Sequence, residues 1–370
     1  MDFELPPALV ALREEALDVG RAAAAAAALT EDTWIAAPNR AFSLELGKRG
    51  WLGMTWPVEK GGGGRTPLER FIVFEALIGT GAPLATSWFA DRQMGPTLLQ
   101  FGTPEQQRTH LPAILDGTSA WSIGMSEPDA GSDVASIRTR AVRDGDEFVI
   151  NGQKIWNSGA AEADWIYLIA RTDLDAKPHA GLSELIVDMR SPGITILPIK
   201  DMTGSRHFCE VFFEDVRVPA ENLVGELNGS FQQVMRQMEH ERGGIDRLLS
   251  NRKLYDDVLA VADTTDARLR QEIAAIESGY RIGRLMVLRE VLGQAPKQFS
   301  AATKTFCTEL EQRIADFCAR ALGAPALLAE PGLAGRVSRG VVYAPAYTIM
   351  GGTTQILRNI LGERVLGLPR

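Results

Sequence analysis

The stretch Asp144-Gly-Asp-Glu-Phe-Val-Ile-Asn-Gly152 is where the hydrophobic period of this 370-residue chain changes. Asp-Gly and Asn-Gly favour tight turns because both tolerate positive φ, and here they flank the apolar run Phe148-Val149-Ile150. That pattern predicts a strand between two turns. Downstream, residues 165–170, 185–189, 194–199 and 211–218 repeat it as short apolar runs punctuated by Pro, Gly and Asp. Strands at this spacing across 118–225 predict a small sandwich or barrel.

On either side the period is helical. Residues 22–28 are seven consecutive alanines, a strong helix former. Thr66-Pro67 precedes an apolar segment containing Phe71, Ile72 and Phe74, and Thr103-Pro104-Glu105 has the form of an N-cap followed by proline at the first helical position. Between them, the glycines at 61–64 follow no strand of a βαβ unit, so they read as a flexible loop rather than a phosphate cradle. After Gly229, Phe231, Val234, Met235 and Met238 fall at i, i+3, i+4 and i+7. Residues 269–292, 299–322 and 349–366 add three more helical segments, which together predict an antiparallel four-helix bundle. The expectation is an α+β multidomain chain: an N-terminal helical domain (1–117), a middle β domain (118–225) and a C-terminal helical bundle (226–370).

Composition narrows the functional classes. The chain is 45% apolar and 23% charged, the proportions of a globular protein, with 39 Lys+Arg against 47 Asp+Glu and a net charge of −8. This gives no support for nucleic-acid or anionic-membrane binding. Cys209, Cys307 and Cys318 form no CxxC, and no cluster of the four histidines accompanies them. They are expected as buried small hydrophobes in a reducing compartment, with no metal site. The start, Met-Asp-Phe-Glu-Leu-Pro-Pro, lacks the pattern of a secretion signal, and no run of about 18 apolar residues exists, so a cytoplasmic location is expected.

Three places could carry chemistry. The stripe that starts at Phe231 reaches Glu241 three residues after Met238 and continues at Ile245, so a carboxylate interrupts a face meant for burial. Burying a charge costs several kcal/mol unless it is paired or used. Either the helix ends at Gly243-Gly244 and Glu241 is solvated, or Glu241 is a base with a pKa raised by desolvation. The second place is the turn-rich run Met125-Ser-Glu-Pro-Asp-Ala-Gly-Ser-Asp133. The third is Gly351-Gly-Thr-Thr-Gln355, where two glycines precede hydroxyl residues suited to capping an apolar helix.

Taken together, these segments resemble the acyl-CoA dehydrogenase family over essentially the whole chain. The resemblance rests on Ser126-Glu-Pro-Asp-Ala-Gly-Ser-Asp133, on Asn151-Gly-Gln-Lys-Ile-Trp-Asn-Ser158, and on Phe213-Glu-Asp-Val-Arg-Val-Pro219. Trp56-Pro57 and Arg358-Asn359 match at the two ends. It implies FAD and an acyl-CoA bound between the middle and C-terminal domains. Met125 and Ser126 would contact the flavin ring, Trp156 would pack beside it, the Ser158 hydroxyl would reach the N5 region, and Asn157 would belong to the same cofactor site. Thr353 and Gln355 would contact FAD near its ribityl-phosphate portion. Ser132, Gly352 and Arg242 would border the substrate. The implied reaction removes an α-proton to a carboxylate as a β-hydride passes to flavin, with the Gly351 N–H supporting charge on the thioester oxygen. Electrons would pass to an electron-transferring flavoprotein, in the β-oxidation of a fatty acid or a steroid side chain.

Departures from the family pattern shape these expectations. Many members carry the base in a Tyr-Glu-Gly-Thr motif, where this chain reads Met350-Gly-Gly-Thr353. Members resembling isovaleryl-CoA and long-chain dehydrogenases place it on the first bundle helix before an Arg, and Glu241-Arg242 matches that arrangement. The usual Arg-x-x-Phe-Gly segment is missing at Leu-Ala-Val-Ala-Asp-Thr-Thr-Asp266, and Gly323-Ala324 replaces a glycine pair. The adenine end of FAD would therefore be held differently. A homotetramer or a heterotetramer is expected, with a non-catalytic or half-site subunit as the alternative to a complete enzyme.

Overall fold

The computed structural model describes residues 5–27, 29, 32–231, 233, 244–328 and 330–369. The chain divides into two compact units, one of Met1–Trp34, Arg65–Pro83 and Glu239–Arg370, the other of Ile35–Gly64 and Leu84–Met238.

The first unit is helical. The alanine run lies in the helix Pro7–Ala26, which packs on Pro67–Gly79. At Gly20 a Cβ would come within 2.2 Å of the Thr80 hydroxyl, so glycine permits their close approach. Thr66 caps Pro67–Gly79 in a complete capping box with Glu69. The helix Phe299–Leu322 is central, burying Ala301, Lys304, Cys307, Leu310, Glu311 and Ile314 among others. Around it pack Arg252–Leu259, Ala267–Val291, Leu333–Tyr343 and Thr354–Ile360. The predicted 349–366 segment begins later than its apolar pattern suggests, because Gly351 and Gly352 hold left-handed backbone (φ +63° and +97°).

Asp32 is buried in this unit, accepting hydrogen bonds from Trp34 Nε1 (3.2 Å) and the Tyr347 hydroxyl (3.1 Å). Burial outweighs these bonds and pushes its pKa up to about 6.

The second unit is built on an eight-stranded sheet. Its strands are β1 (Trp121–Gly124), β2 (Arg140–Asp144), β3 (Glu147–Lys154), β4 (Trp165–Arg171), β5 (Leu182–Asp188), β6 (Ile194–Ile199), β7 (Phe208–Pro219) and β8 (Leu223–Val224). The order is β6-β7-β3-β2-β4-β5-β8, with β1 parallel to β4. β4 is apolar without alternation because both its faces are covered. Ile166, Leu168 and Ala170 join Phe148, Leu185, Val187 and Phe213 in one core. Tyr167 packs on the other side with Trp56, Met94, Leu98 and Leu111.

Two expectations from local chemistry are corrected. Asp144-Gly145 does begin the β2–β3 turn, but Asn151-Gly152 lies inside β3. Opposite it the ladder with β7 slips by one residue, and Asp215 takes φ +49°. The Asn151 side chain bonds the Asp215 N–H and its carboxylate, both at 3.0 Å, so it braces a bulge rather than starting a turn. The glycines at 61–64 are likewise not a loose loop. The Gly62, Gly63 and Gly64 amides donate to the Pro57, Gly53 and Trp56 carbonyls at 3.0 Å, which packs the loop and leaves these donors unavailable to a phosphate.

All three cysteines are buried thiols, as expected. Among the described residues, no helix is long and apolar enough to cross a membrane.

Candidate active site

Five of the expected site residues fall on two lengths of chain that run beside each other in the second unit. One continues from β1 through Met125 and Ser126; the other continues from β3 through Ile155, Trp156, Asn157 and Ser158. Side-chain bonds join them: Lys154 Nζ donates to the Met125 carbonyl (3.0 Å), Asn157 Nδ2 to the Ile123 carbonyl (2.7 Å), and Ser122 Oγ to the Ser158 carbonyl (3.0 Å). The Ile155 N–H adds a backbone bond to the Ser126 carbonyl (3.0 Å). Asn157 and Cys209 exchange both backbone hydrogen bonds, which fixes the second length against β7.

An ion pair lies beneath this rim. Lys154, fully buried, meets Glu127 Oε1 at 2.8 Å, and the Glu127 carboxylate also accepts the Arg138 and Thr139 N–H groups at 2.6 and 2.9 Å. Burial pushes the Lys154 pKa down to about 8 against the pull of Glu127. At Glu127 burial acts upward, yet Lys154 and the hydrogen bonds outweigh it and hold the carboxyl below its ordinary value. Neither residue was singled out from the sequence. A signal existed: β3 buries Phe148 and Ile150, and Lys154 continues that inward parity, where a charge demands a partner.

Trp156 stands out on this rim. Its φ is +62°, a conformation that costs a bulky L-residue about 1–3 kcal/mol and that clusters at functional sites. The indole is 55% exposed and braced edge-on by Phe208, with ring centroids 5.7 Å apart. Among the described residues the Ser126 and Ser158 hydroxyls make no hydrogen bond, and buried Asn157 Oδ1 accepts none. An exposed aromatic face, two uncommitted hydroxyl donors and an unused acceptor suit a flat, conjugated, heteroatom-edged ring, so the rim fits a flavin. A cleft of about 240 Å³ opens beside Ser158, lined also by Phe89, Trp121, Arg206 and His207. Burial lowers the His207 pKa to about 4 despite Asp201, so its imidazole is neutral at pH 7. Ser132 is exposed in the loop before Val134–Ser136 and takes no part in the rim's hydrogen bonds.

The remaining described site residues lie in the first unit. Lys304, fully buried on Phe299–Leu322, donates to the Gly352 carbonyl at 2.9 Å and to that of Tyr347 at 3.4 Å, holding the turn that contains Gly351. Thr353 caps Thr354–Ile360 by accepting the Ile356 N–H (3.2 Å), as its position predicts, and Gln355 is exposed. Glu241 and Arg242 lie outside the described residues, as do Val234, Met235 and Met238 of the stripe leading to them.

Comparison with known proteins places this geometry in a family. Residues 7–118, 122–216 and 228–366 match, in order, the N-terminal, middle and C-terminal domain models of acyl-CoA dehydrogenase. Acyl-CoA dehydrogenase IpdE1 of Mycobacterium tuberculosis is 37% identical over 342 residues, covering 90% of this chain and 88% of that protein. Among solved structures, the Tcur3481-Tcur3483 steroid ACAD superposes with a TM-score of 0.90 at 32% identity, covering 100% of both chains. The ChsE4-ChsE5 complex from Mycobacterium tuberculosis does so with a TM-score of 0.87, also at 32% identity and 100% coverage of both chains. The helical–sheet–helical chain described here therefore belongs to the acyl-CoA dehydrogenase family, flavin-dependent oxidoreductases whose general reaction is the dehydrogenation of acyl-CoA thioesters.

Proposed function

We propose that this chain α,β-dehydrogenates an acyl-CoA, with Glu241 as the base. The observation that carries the reading is the rim: an exposed Trp156 on left-handed backbone beside the uncommitted hydroxyls of Ser126 and Ser158. Met125, Ser126, Trp156, Asn157 and Ser158 would hold FAD from the sheet unit, and Thr353 and Gln355 would hold it from the helical unit. Bound FAD supplies the two-electron acceptor for the β-hydride. Glu241 takes the α-proton, and Arg242 steadies that carboxylate from the substrate side. The Gly351 N–H stabilises negative charge developing on the thioester oxygen, an interaction stronger in the transition state than in the bound substrate. Ser132 and Gly352 border the acyl-CoA. The functional division of the chain is 1–117, 118–225 and 226–370, and electrons leave to an electron-transferring flavoprotein.

A steroid-derived acyl group is the substrate class we favour, since a structural neighbour at 32% identity is described as a steroid ACAD. The second reading is a half-site subunit of a heterotetramer. It is favoured by the ChsE4-ChsE5 neighbour, a complex of two differently named chains, and by the missing Arg-x-x-Phe-Gly segment.

The test is to purify the full chain, measure bound FAD, and add fatty-acyl and steroid-acyl CoA thioesters anaerobically. Bleaching of the flavin that is lost in Glu241→Gln supports the first reading, whereas bleaching unchanged by that substitution removes Glu241 as the base. Flavin bound only after co-expression of a second subunit supports the half-site reading.

A further inference from the structure

We propose that Lys154 is a positioning residue for the flavin: its ammonium orients the Met125 peptide, and thereby the Ser126 hydroxyl, on the cofactor-facing rim. The inference rests on the preceding reading that the rim holds FAD.

Fold stability alone gives little reason for the pair. Placing an ammonium and a carboxylate in a protein interior costs several kcal/mol per ion in desolvation, and well-packed apolar residues of similar volume often do as well or better. Sheet cores of this kind are readily built from Leu, Ile and Val, as the surrounding cluster of Phe148, Ile150, Leu168 and Val211 shows. What an apolar residue cannot do is hold a main-chain carbonyl, and Lys154 does so at Met125.

That carbonyl needs holding. β1 ends at Gly124, so Met125 and Ser126 lie past the ladder with β4 and have no strand partners. Their place is set by the Lys154 bond to the Met125 carbonyl, the Ile155 bond to the Ser126 carbonyl, and the paired backbone bonds of Glu127 with Ala130. The counter-ion is itself anchored, because the Glu127 carboxylate is fixed by the Arg138 and Thr139 amides at the entry to β2. One ion pair therefore ties together 125–127, 138–139 and the end of β3. Both arms of the rim leave from it, since Ile155 and the left-handed Trp156 directly follow Lys154. Loss of the ammonium would free the Met125 peptide to rotate and carry Ser126 away from the ring. Misplacement of about 1 Å at a reacting centre can cost on the order of a hundredfold in rate.

The experiment uses the full-length chain, reconstituted with FAD alone or with its co-expressed partner if one is needed. It compares wild type with K154M/E127Q, in which no buried charge is left unpaired. Apoprotein unfolding shows whether the variant folds; FAD affinity, the shape of the flavin absorption bands and the flavin midpoint potential report on positioning. The expected result is cooperative unfolding close to wild type together with at least tenfold weaker FAD binding, altered bands and a displaced potential. A variant that folds and binds FAD within twofold of wild type, with unchanged bands, overturns the role of Lys154 and leaves the flavin site standing. A wild-type chain that binds no FAD under any condition overturns both. Should the double variant not fold, E127Q alone is measured; its one amide oxygen keeps one of the Arg138 and Thr139 N–H bonds, and it removes the charge that pairs Lys154. A threefold or larger loss of FAD affinity in E127Q supports the proposal, and unchanged affinity overturns it.

Discussion

Two stretches of the expected site, one in each unit, are held by the same device and yet stand differently in their surroundings. At 123–127 a buried lysine grips the Met125 carbonyl, and at 347–352 another grips the carbonyls of Tyr347 and Gly352. In the first stretch Glu127 pairs the lysine, Ile155 and Asn157 bond the flanking Ser126 and Ile123 carbonyls, and the adjoining strand β3 is laddered to β7. The second is a turn between a short 3-10 segment and a capped helix, with its course set by two glycines on left-handed backbone. Charge is the vulnerable element in the first and backbone conformation in the second.

The largest effect should come from Lys154→Met alone. Removing one partner of a buried ion pair leaves the other uncompensated, and a loss of about 3–5 kcal/mol is expected in denaturant unfolding. A loss below about 1 kcal/mol would mean the rim is not held by charge.

Next in size is a pH effect on the helical unit, where Tyr347 at the start of the turn is bonded to Asp32. The folded pKa of Asp32, about 6, lies above its unfolded value near 3.8, so the folded state binds more protons between them. Its contribution, roughly 3 kcal/mol, is fully present below pH about 4 and is lost as pH rises through about 6. Thermal unfolding from pH 4 to 7 should show this fall, and Asp32→Asn should flatten it. A slope unchanged by Asp32→Asn would assign the titration to another group.

Gly352→Ala should cost about 1–3 kcal/mol through strain at φ +97°, and should lower kcat more than FAD affinity if the turn serves the substrate. A variant as stable and active as wild type would make the two stretches equivalent after all. Smallest is Thr353→Ala, which removes a helix cap worth about 1 kcal/mol and, with Thr353 proposed to hold FAD, should lower both calorimetric stability and FAD affinity. Lost stability with unchanged FAD affinity would make Thr353 a cap and not a ligand.

What could be read from the chain divides along the same line. Capping at Thr103 and Thr353 depends on the next three or four residues, and both were legible. The unbroken apolar run of β4 was legible as a strand because Trp, Ile, Tyr and Leu in a row suit a sheet covered on both faces. Asn151-Gly152 misled, because the dipeptide's preference for turns is local while its use here is decided by β7, some sixty residues away. Among the proposed site residues, Met125, Ser126, Trp156 and Ser158 were singled out from the sequence through family resemblance. The Glu127–Lys154 pair was not, since only the pairing of distant segments shows that Lys154 ends inside.

The bulge at Asp215 has a consequence for how β7 tolerates change in length. Its inward residues are odd-numbered up to the slip (Cys209, Val211, Phe213) and even-numbered beyond it (Val216, Val218). The slip thus absorbs one surplus residue, and both halves face the core because Glu214 and Asp215 are turned outward together. Deleting either Glu214 or Asp215 would restore regular pairing and leave Phe213, Val216 and Val218 all facing inward. Deleting both would place Val216 directly after Phe213 and turn Val216 and Val218 outward.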